Sequence, residues 1–204
     1  MLTSIVLASG NTGKIKEFRA LLEPLGLKII PQGELGIGDA PEPYLTFVEN
    51  ALTKARHASA LSGLPAIADD SGLCVKVLDG APGVLSARYA LNDQGERSDV
   101  ANNQKLVSKL KHESDRSAWY VAVLVFVLHP EDPQPLIAEA NWHGEIVDKP
   151  SGANGFGYDP HFFIPEYGCT VASLDPVLKN KVSHRGQAMQ ILLNKMRERG
   201  LASS

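Results

Sequence analysis

The chain has 204 residues, 44% hydrophobic and 21% charged, a balance that excludes a disordered tail and suits one sizeable folded core. Its formal net charge of −3 excludes a general grip on a nucleic acid backbone, although a small anion needs only a local cluster of cations. Two cysteines, Cys74 and Cys169, exclude a disulfide framework; neither has metal-binding spacing, and each is expected to be a small buried apolar residue.

The first residues lack the basic start and apolar core of a leader segment. The longest apolar run, Ala118 to Leu128, is far short of the ~20 residues a membrane helix needs. A cytoplasmic protein with no membrane partner is expected.

Ile5 to Leu7 reads as a strand running into Ala8-Ser9-Gly10-Asn11-Thr12-Gly13-Lys14, and a helical pattern follows at once (Ile15, Phe18, Leu22, Leu25). A strand feeding a helix N-terminus presents backbone N–H groups with no partner inside the helix, where the dipole favours negative charge. Gly10 and Gly13 leave room for a ligand and Lys14 adds a mobile cation, so Ser9 to Lys14 is a candidate phosphate site. Neither a Walker loop nor a dinucleotide fingerprint fits the spacing. The alternative is an ordinary strand-to-helix turn with a surface lysine.

Leu27 to Ile30 is a second candidate strand, and 31–43, rich in Gly, Pro and acidic residues, a loop carrying Glu42. Tyr44 to Leu61 is expected to be one long helix with Ala51, Ala55 and Ala58 on one face and Lys54 beside Asn50. Ala66 to Ala68 reads as a short buried strand ending at Asp69-Asp70-Ser71-Gly72, with a separate strand over Leu73 to Leu78 and a turn at 80–83. Two carboxylates, a hydroxyl and a glycine at a strand end suit a hard cation such as Mg²⁺, which needs one or two carboxylates when phosphates complete its shell. They also suit a tight Asx turn. Neighbouring aspartates on a strand point to opposite faces, so only one would face a ligand.

Asp99 to Leu110 is expected to be a helix, and Ala118 to Leu128 a central strand reversed at 129–135 into an antiparallel partner, Leu136 to Glu145. A flexible loop over 149–157 leads into Phe156-Gly157-Tyr158-Asp159-Pro160. A glycine between two aromatics leaves a ring face accessible with an acceptor beside it, a combination suited to a nucleobase or to a core aromatic pair at a turn. Lys179, Lys181 and Ser183-His184-Arg185-Gly186 place cations before a final helix that starts near Gly186 and ends at Gly200. The sum is an α/β fold with a mixed central sheet and flanking helices, read as a single domain, 1–204.

Taken together and in order, these segments resemble the inosine triphosphate (non-canonical purine nucleoside triphosphate) pyrophosphatases. The likeness runs over Ser9-Gly10-Asn11 with Lys14, Thr46-Phe47-x-Glu49-Asn50-Ala51 with Lys54-Ala55-Arg56, and Ala68-Asp69-Asp70-Ser71-Gly72-Leu73. It continues through Ala81-Pro82-Gly83, Ser86-Ala87-Arg88-Tyr89, Gly155 to Pro160 and Ser183 to Gly186. Nothing is carried over onto 90–97.

The resemblance implies two lobes around a nucleotide-binding cleft and a homodimer. It implies hydrolysis of inosine, deoxyinosine and xanthosine triphosphates to monophosphate and pyrophosphate with Mg²⁺. Residue by residue it implies that Ser9, Gly10, Asn11, Thr12, Gly13, Lys14 and Lys54 hold phosphates. Asp70 would be the catalytic carboxylate and a metal ligand, Glu42 a second metal ligand, and Ser71 a substrate contact. Phe156, Gly157, Tyr158, Asp159, Lys179, His184 and Arg185 would hold the nucleotide, chiefly its base. Two other readings remain at this point: a pyrophosphatase directed at modified pyrimidines, and a nucleotide-binding regulator without catalysis.

Overall fold

A computed structural model describes residues 2–92 and 94–202. The ends of the 1–204 assignment and Asp93, in the stretch onto which nothing was carried over, lie outside the described residues. Seven strands form one sheet in the order β2-β1-β3-β4-β5-β6-β7. They are β1 Ser4–Leu7, β2 Lys28–Pro31, β3 Ala66–Val75, β4 Ser117–Val127, β5 Leu136–Ile146, β6 Phe162–Ile164 and β7 Cys169–Thr170. The helices are α1 Thr12–Leu22, α2 Phe47–Ser62, α3 Asp99–Lys109, α4 Pro176–Val182 and α5 His184–Glu198. The mixed α/β architecture read from the sequence is the one observed.

The chain forms two compact units. The first comprises Met1–Asp70, Ala122–Ala140 and Arg185–Ser204; the second comprises Ser71–Val121 and Asn141–His184.

In the first unit β1 runs parallel to both β2 and β3, with Ile5 opposite Ile29 and Leu7 opposite Ile67. The inner strand β1 is buried on both sides from Ile5 to Leu7, as a central parallel strand requires. Phe18 and Leu22 of α1 and Met189, Leu192, Leu193 and Met196 of α5 recur at helical spacing and close over the same core. Ala8 N–H continues the ladder onto Ile67 O at 2.9 Å, so the loop that leaves β1 starts beside Asp69. Register therefore brings the candidate phosphate loop next to the aspartate pair, at the carboxyl ends of parallel strands.

In the second unit Leu73, Leu106, Tyr120, Trp142, Phe162 and Val171 pack into a separate core. The connection 128–135 between the neighbours β4 and β5 is too short for a crossover, so this pair is antiparallel, as expected.

Several boundaries differ from the reading. Asp69-Asp70-Ser71-Gly72 does not end a strand: β3 runs unbroken through it, and the expected strand over 73–78 is its continuation, closed by a 3-10 turn at Lys76–Leu78. Charged pairs disfavour a strand on composition alone; here cations from distant segments meet them. Helix α2 begins at Phe47 rather than Tyr44. Thr46 caps it: its Oγ1 accepts from Glu49 N–H at 3.4 Å and donates to Glu49 Oε2 at 2.5 Å. Helix α5 takes in His184 and Arg185. Helix α4 was not anticipated, nor were β6 and β7, which are too short for periodicity to show. Cys74 is buried as expected, but Cys169, on the two-residue strand β7, is half exposed.

Candidate functional site

The β1–α1 loop is built by its own side chains. Ser9 Oγ accepts from Asn11 N–H at 3.2 Å, and Asn11 Oδ1 accepts from Lys14 N–H at 3.0 Å, the N-cap bond of α1. The N–H groups of Thr12 and Gly13, in the first turn, have no acceptor within the helix. Asn11 and Thr12 are exposed. A Cβ placed on Gly10 would meet nothing nearer than Asp39 Oδ1 at 3.9 Å. The protein's own packing does not demand glycine there.

Asp69 and Asp70 lead opposite lives, as the strand pleat dictates. Asp69 is buried, with Arg185 Nε donating to its Oδ2 at 2.7 Å and Lys14 Nζ 3.2 Å from the same oxygen. Arg185, itself buried, also donates to Glu17 Oε2. Burial alone would raise the Asp69 pKa, but Arg185 and Lys14 outweigh it and hold the carboxyl well below its usual range. Burial lowers the Lys14 ammonium, helped by Arg185 and Lys54 and opposed by Asp69.

Asp70 faces Lys54, whose Nζ lies 2.7 Å from Asp70 Oδ1, 3.0 Å from Glu42 Oε1 and 2.9 Å from Asp69 O. Its other oxygen, Oδ2, is buried without a donor among the described residues. Burial raises the Asp70 pKa, with Lys54 opposing; Lys54 is raised because Asp70 and Glu42 outweigh its own burial. The loop that carries Glu42 is pinned by the buried Asn50 of α2. Its Oδ1 accepts from Tyr44 N–H, and its Nδ2 donates to Tyr44 O, each at 3.1 Å.

All of these residues belong to the first unit. They make a carboxylate pair, Asp70 and Glu42, held by one lysine, beside two more cations and an open helix N-terminus. An orphaned buried carboxylate oxygen next to a second carboxylate is a donor set that fits Mg²⁺, which keeps several waters and needs few protein ligands.

The second unit holds the residues expected near a base. Phe156 presents its ring to solvent, and Lys179 Nζ lies 4.9 Å from the ring centroid. Asp159 is buried with both oxygens engaged. Oδ2 accepts from Phe156 N–H at 3.0 Å and from Lys179 Nζ at 2.8 Å; Oδ1 accepts from Tyr120 O–H at 3.1 Å. A Cβ on Gly155 would collide with the Asp159 carboxylate, and Gly155 has φ +78°, so glycine is obligatory there. Tyr158 is buried in the core with its hydroxyl on Ser86 O at 2.9 Å, and burial pushes its pKa up. His184 is buried and stacks on Tyr120, centroids 4.7 Å apart. Ser71 is half-buried, next to Asp70 along β3.

Lys14, Lys54, Asp70, Glu42 and Arg185 are thus brought together in one unit, and Phe156 to Asp159, Lys179 and His184 in the other. Arg185 bonds the carboxylates of Asp69 and Glu17. The reading of the sequence did not find Glu17, Tyr120, Asp99 or Asn103; the last two bond Gly157 and sit at i, i+4 on an amphipathic helix, a spacing that carries no signal of its own.

Fold and site define an α/β protein with a carboxylate centre ringed by cations. Residues 5–195 match the model of the Ham1 family, and the chain belongs to that family. It is 60% identical over 199 residues to the dITP/XTP pyrophosphatase of Bordetella pertussis, covering 98% of this chain and 93% of that one. It is 61% identical over 193 residues to the dITP/XTP pyrophosphatase of Ralstonia nicotianae, covering 95% and 96%. Among solved structures it resembles a HAM1 protein from Coxiella burnetii, with TM-score 0.88 and 48% identity over 97% of this chain and 100% of that one. The resemblance drawn from the motifs holds.

Proposed function

We propose that the whole chain, 1–204, works as one enzyme. It hydrolyses inosine, deoxyinosine and xanthosine triphosphates to the monophosphate and pyrophosphate, sanitising the nucleotide pool of the cytoplasm as a homodimer. The observation that carries the reading is the state of Asp70: a buried carboxylate with one oxygen on Lys54 and the other without a donor among the described residues.

In the reaction a water adds to the α-phosphorus, the bond from that phosphorus to the bridging oxygen breaks, and pyrophosphate leaves. Asp70 and Glu42 would hold Mg²⁺, which when bound supplies charge neutralisation and lowers the pKa of bound water. Asp70 Oδ2 is the acceptor that orients the attacking water and takes its proton. Lys14, Lys54 and the first-turn N–H groups of α1 offset charge on the leaving pyrophosphate. Gly10, unconstrained by its own neighbours, lets a phosphate approach the backbone.

The base would lie on the Phe156 ring, with Lys179, whose Nζ lies 4.9 Å from the ring centroid, as the donor to its edge. Hypoxanthine and xanthine carry a 6-oxo acceptor that a donor such as Lys179 satisfies; adenine offers a 6-amino donor and leaves it unpaired. Polar mispairing of this kind can discriminate by ~10⁴ or more. Asp159, with its carboxylate engaged, serves by holding Lys179 and the Phe156 N–H in place.

The test is release of pyrophosphate and orthophosphate from ITP, XTP, ATP and GTP with and without Mg²⁺. Pyrophosphate from ITP and XTP, dependent on Mg²⁺, is expected. Orthophosphate as first product would remove attack at the α-phosphorus, and ATP hydrolysed as fast as ITP would remove the base reading.

A further inference from the structure

We infer that Asp99 and Asn103 of α3 are positioning residues for base selection: together they grip both main-chain polar groups of Gly157 and so aim the exposed ring of Phe156. Gly157 N–H donates to Asp99 Oδ2 at 2.8 Å, and Asn103 Nδ2 donates to Gly157 O at 2.8 Å. The same Nδ2 donates to Asp99 O at 2.8 Å, tying the two halves of the grip to one helical turn.

Two carbonyls facing Nδ2 fix the amide orientation, since a flipped side chain would set oxygen against oxygen. Asn103 Oδ1 is then left buried without a donor among the described residues. A buried acceptor without a partner is costly, and a side chain kept at that cost is tied to something other than stability. Gly157 has φ +64° and nothing crowds the place of a Cβ, so the loop shape is not imposed by packing at that residue. It is imposed by hydrogen bonds on either side: Asp159 on Phe156 N–H, and α3 on Gly157. A ring on a peptide held at both ends keeps one attitude toward a base, and discrimination by mispaired polar groups needs that fixity.

The inference rests on the reading that the Phe156 loop holds the base, and the experiment separates the two. Asp99 is exposed, so Asp99→Ala opens no core cavity. Asp99→Ala, Asp99→Asn and Phe156→Ala are compared in the full chain for kcat and KM on ITP and ATP, with thermal melting alongside. Loss of one such bond is expected to raise KM for ITP about tenfold, with kcat within about twofold, and to narrow the preference for ITP over ATP. Asp99→Asn is expected to restore both, because its amide oxygen accepts the same N–H. Unchanged KM and preference in Asp99→Ala, while Phe156→Ala raises KM, overturns the grip alone. An equal fall in kcat on both substrates with a lowered melting temperature also overturns it, as a merely structural role. Phe156→Ala without effect overturns the base reading beneath it.

Discussion

The carboxylate centre of the first unit and the aromatic loop of the second are assembled by different forces. At the carboxylate centre three cations, Lys14, Lys54 and Arg185, converge on the side chains and carbonyl of two consecutive residues. In the loop an ion pair, Lys179 with Asp159, sits beside the Phe156 ring and among main-chain hydrogen bonds. Yet both regions use the same device to fix a loop. Asn50 of α2 holds the N–H and the carbonyl of Tyr44; Asp99 and Asn103 of α3 hold those of Gly157. A triphosphate tail is recognised by charge and tolerates some looseness, whereas a base edge is recognised by direction. Under the proposed function, charge is concentrated where the first would be held and geometry where the second would be.

The sharpest way to break this contrast is to remove the anion that holds two of the cations together. Asp69→Ala leaves the buried Arg185 with Glu17 alone and the partly buried Lys14 without its carboxylate, and truncating one side of a buried ion pair costs about 3–5 kcal/mol. Urea denaturation should show a loss of that order. A loss under about 1 kcal/mol would mean that the charges are solvated and that the centre is not held together as described.

Next in size is Asp70→Asn, one residue along on the opposite face. It keeps the shape and removes the charge, so kcat should fall by ~10² or more while the unfolding midpoint stays near that of the parent. Near-normal turnover would take Asp70 out of the chemistry. The pair of variants therefore tests whether adjacent aspartates divide into one that holds the fold and one that acts.

That division was partly legible in the sequence and partly not. The pleat rule alone says that neighbouring strand residues face apart, and the N-cap Asn11, the Ala51/Ala55/Ala58 stripe and the α5 core face were all readable from spacing. What was invisible was the origin of the partners. Asp69 meets Lys14 from 55 positions away and Arg185 from 116, and no local pattern encodes such a meeting. Without those partners a charged pair reads as a strand end, which is why β3 was cut short. The partners of Arg185 were equally invisible: it reaches Asp69 and Glu17, while its neighbour His184 stacks on Tyr120. Helix α4 could have been found, because Asp175-Pro176 is a cap followed by a proline at the first helical position, and Asp175 Oδ1 does accept from Val177 and Leu178 N–H. The lysines downstream were instead read as cations placed before the final helix.

The smallest expected effect probes the β1–α1 loop, where the N-cap and the proposed phosphate site coincide. Asn11→Ala removes the Oδ1 that accepts Lys14 N–H and should cost about 1 kcal/mol of stability, whereas Asn11→Gly should cost only a few tenths. If the α1 N-terminus serves only as a helix start, the rise in KM for ITP should track that stability order, large for Ala and small for Gly. If it also cradles phosphate, the two variants should share a raised KM whatever their stability, because both lack the side chain that fixes the loop. Melting curves and steady-state kinetics on the same two proteins distinguish these outcomes. The second outcome is expected, because Ser9 and Asn11 spend their side chains shaping the loop while Asn11 and Thr12 stay open to solvent, where a ligand can reach the first-turn N–H groups.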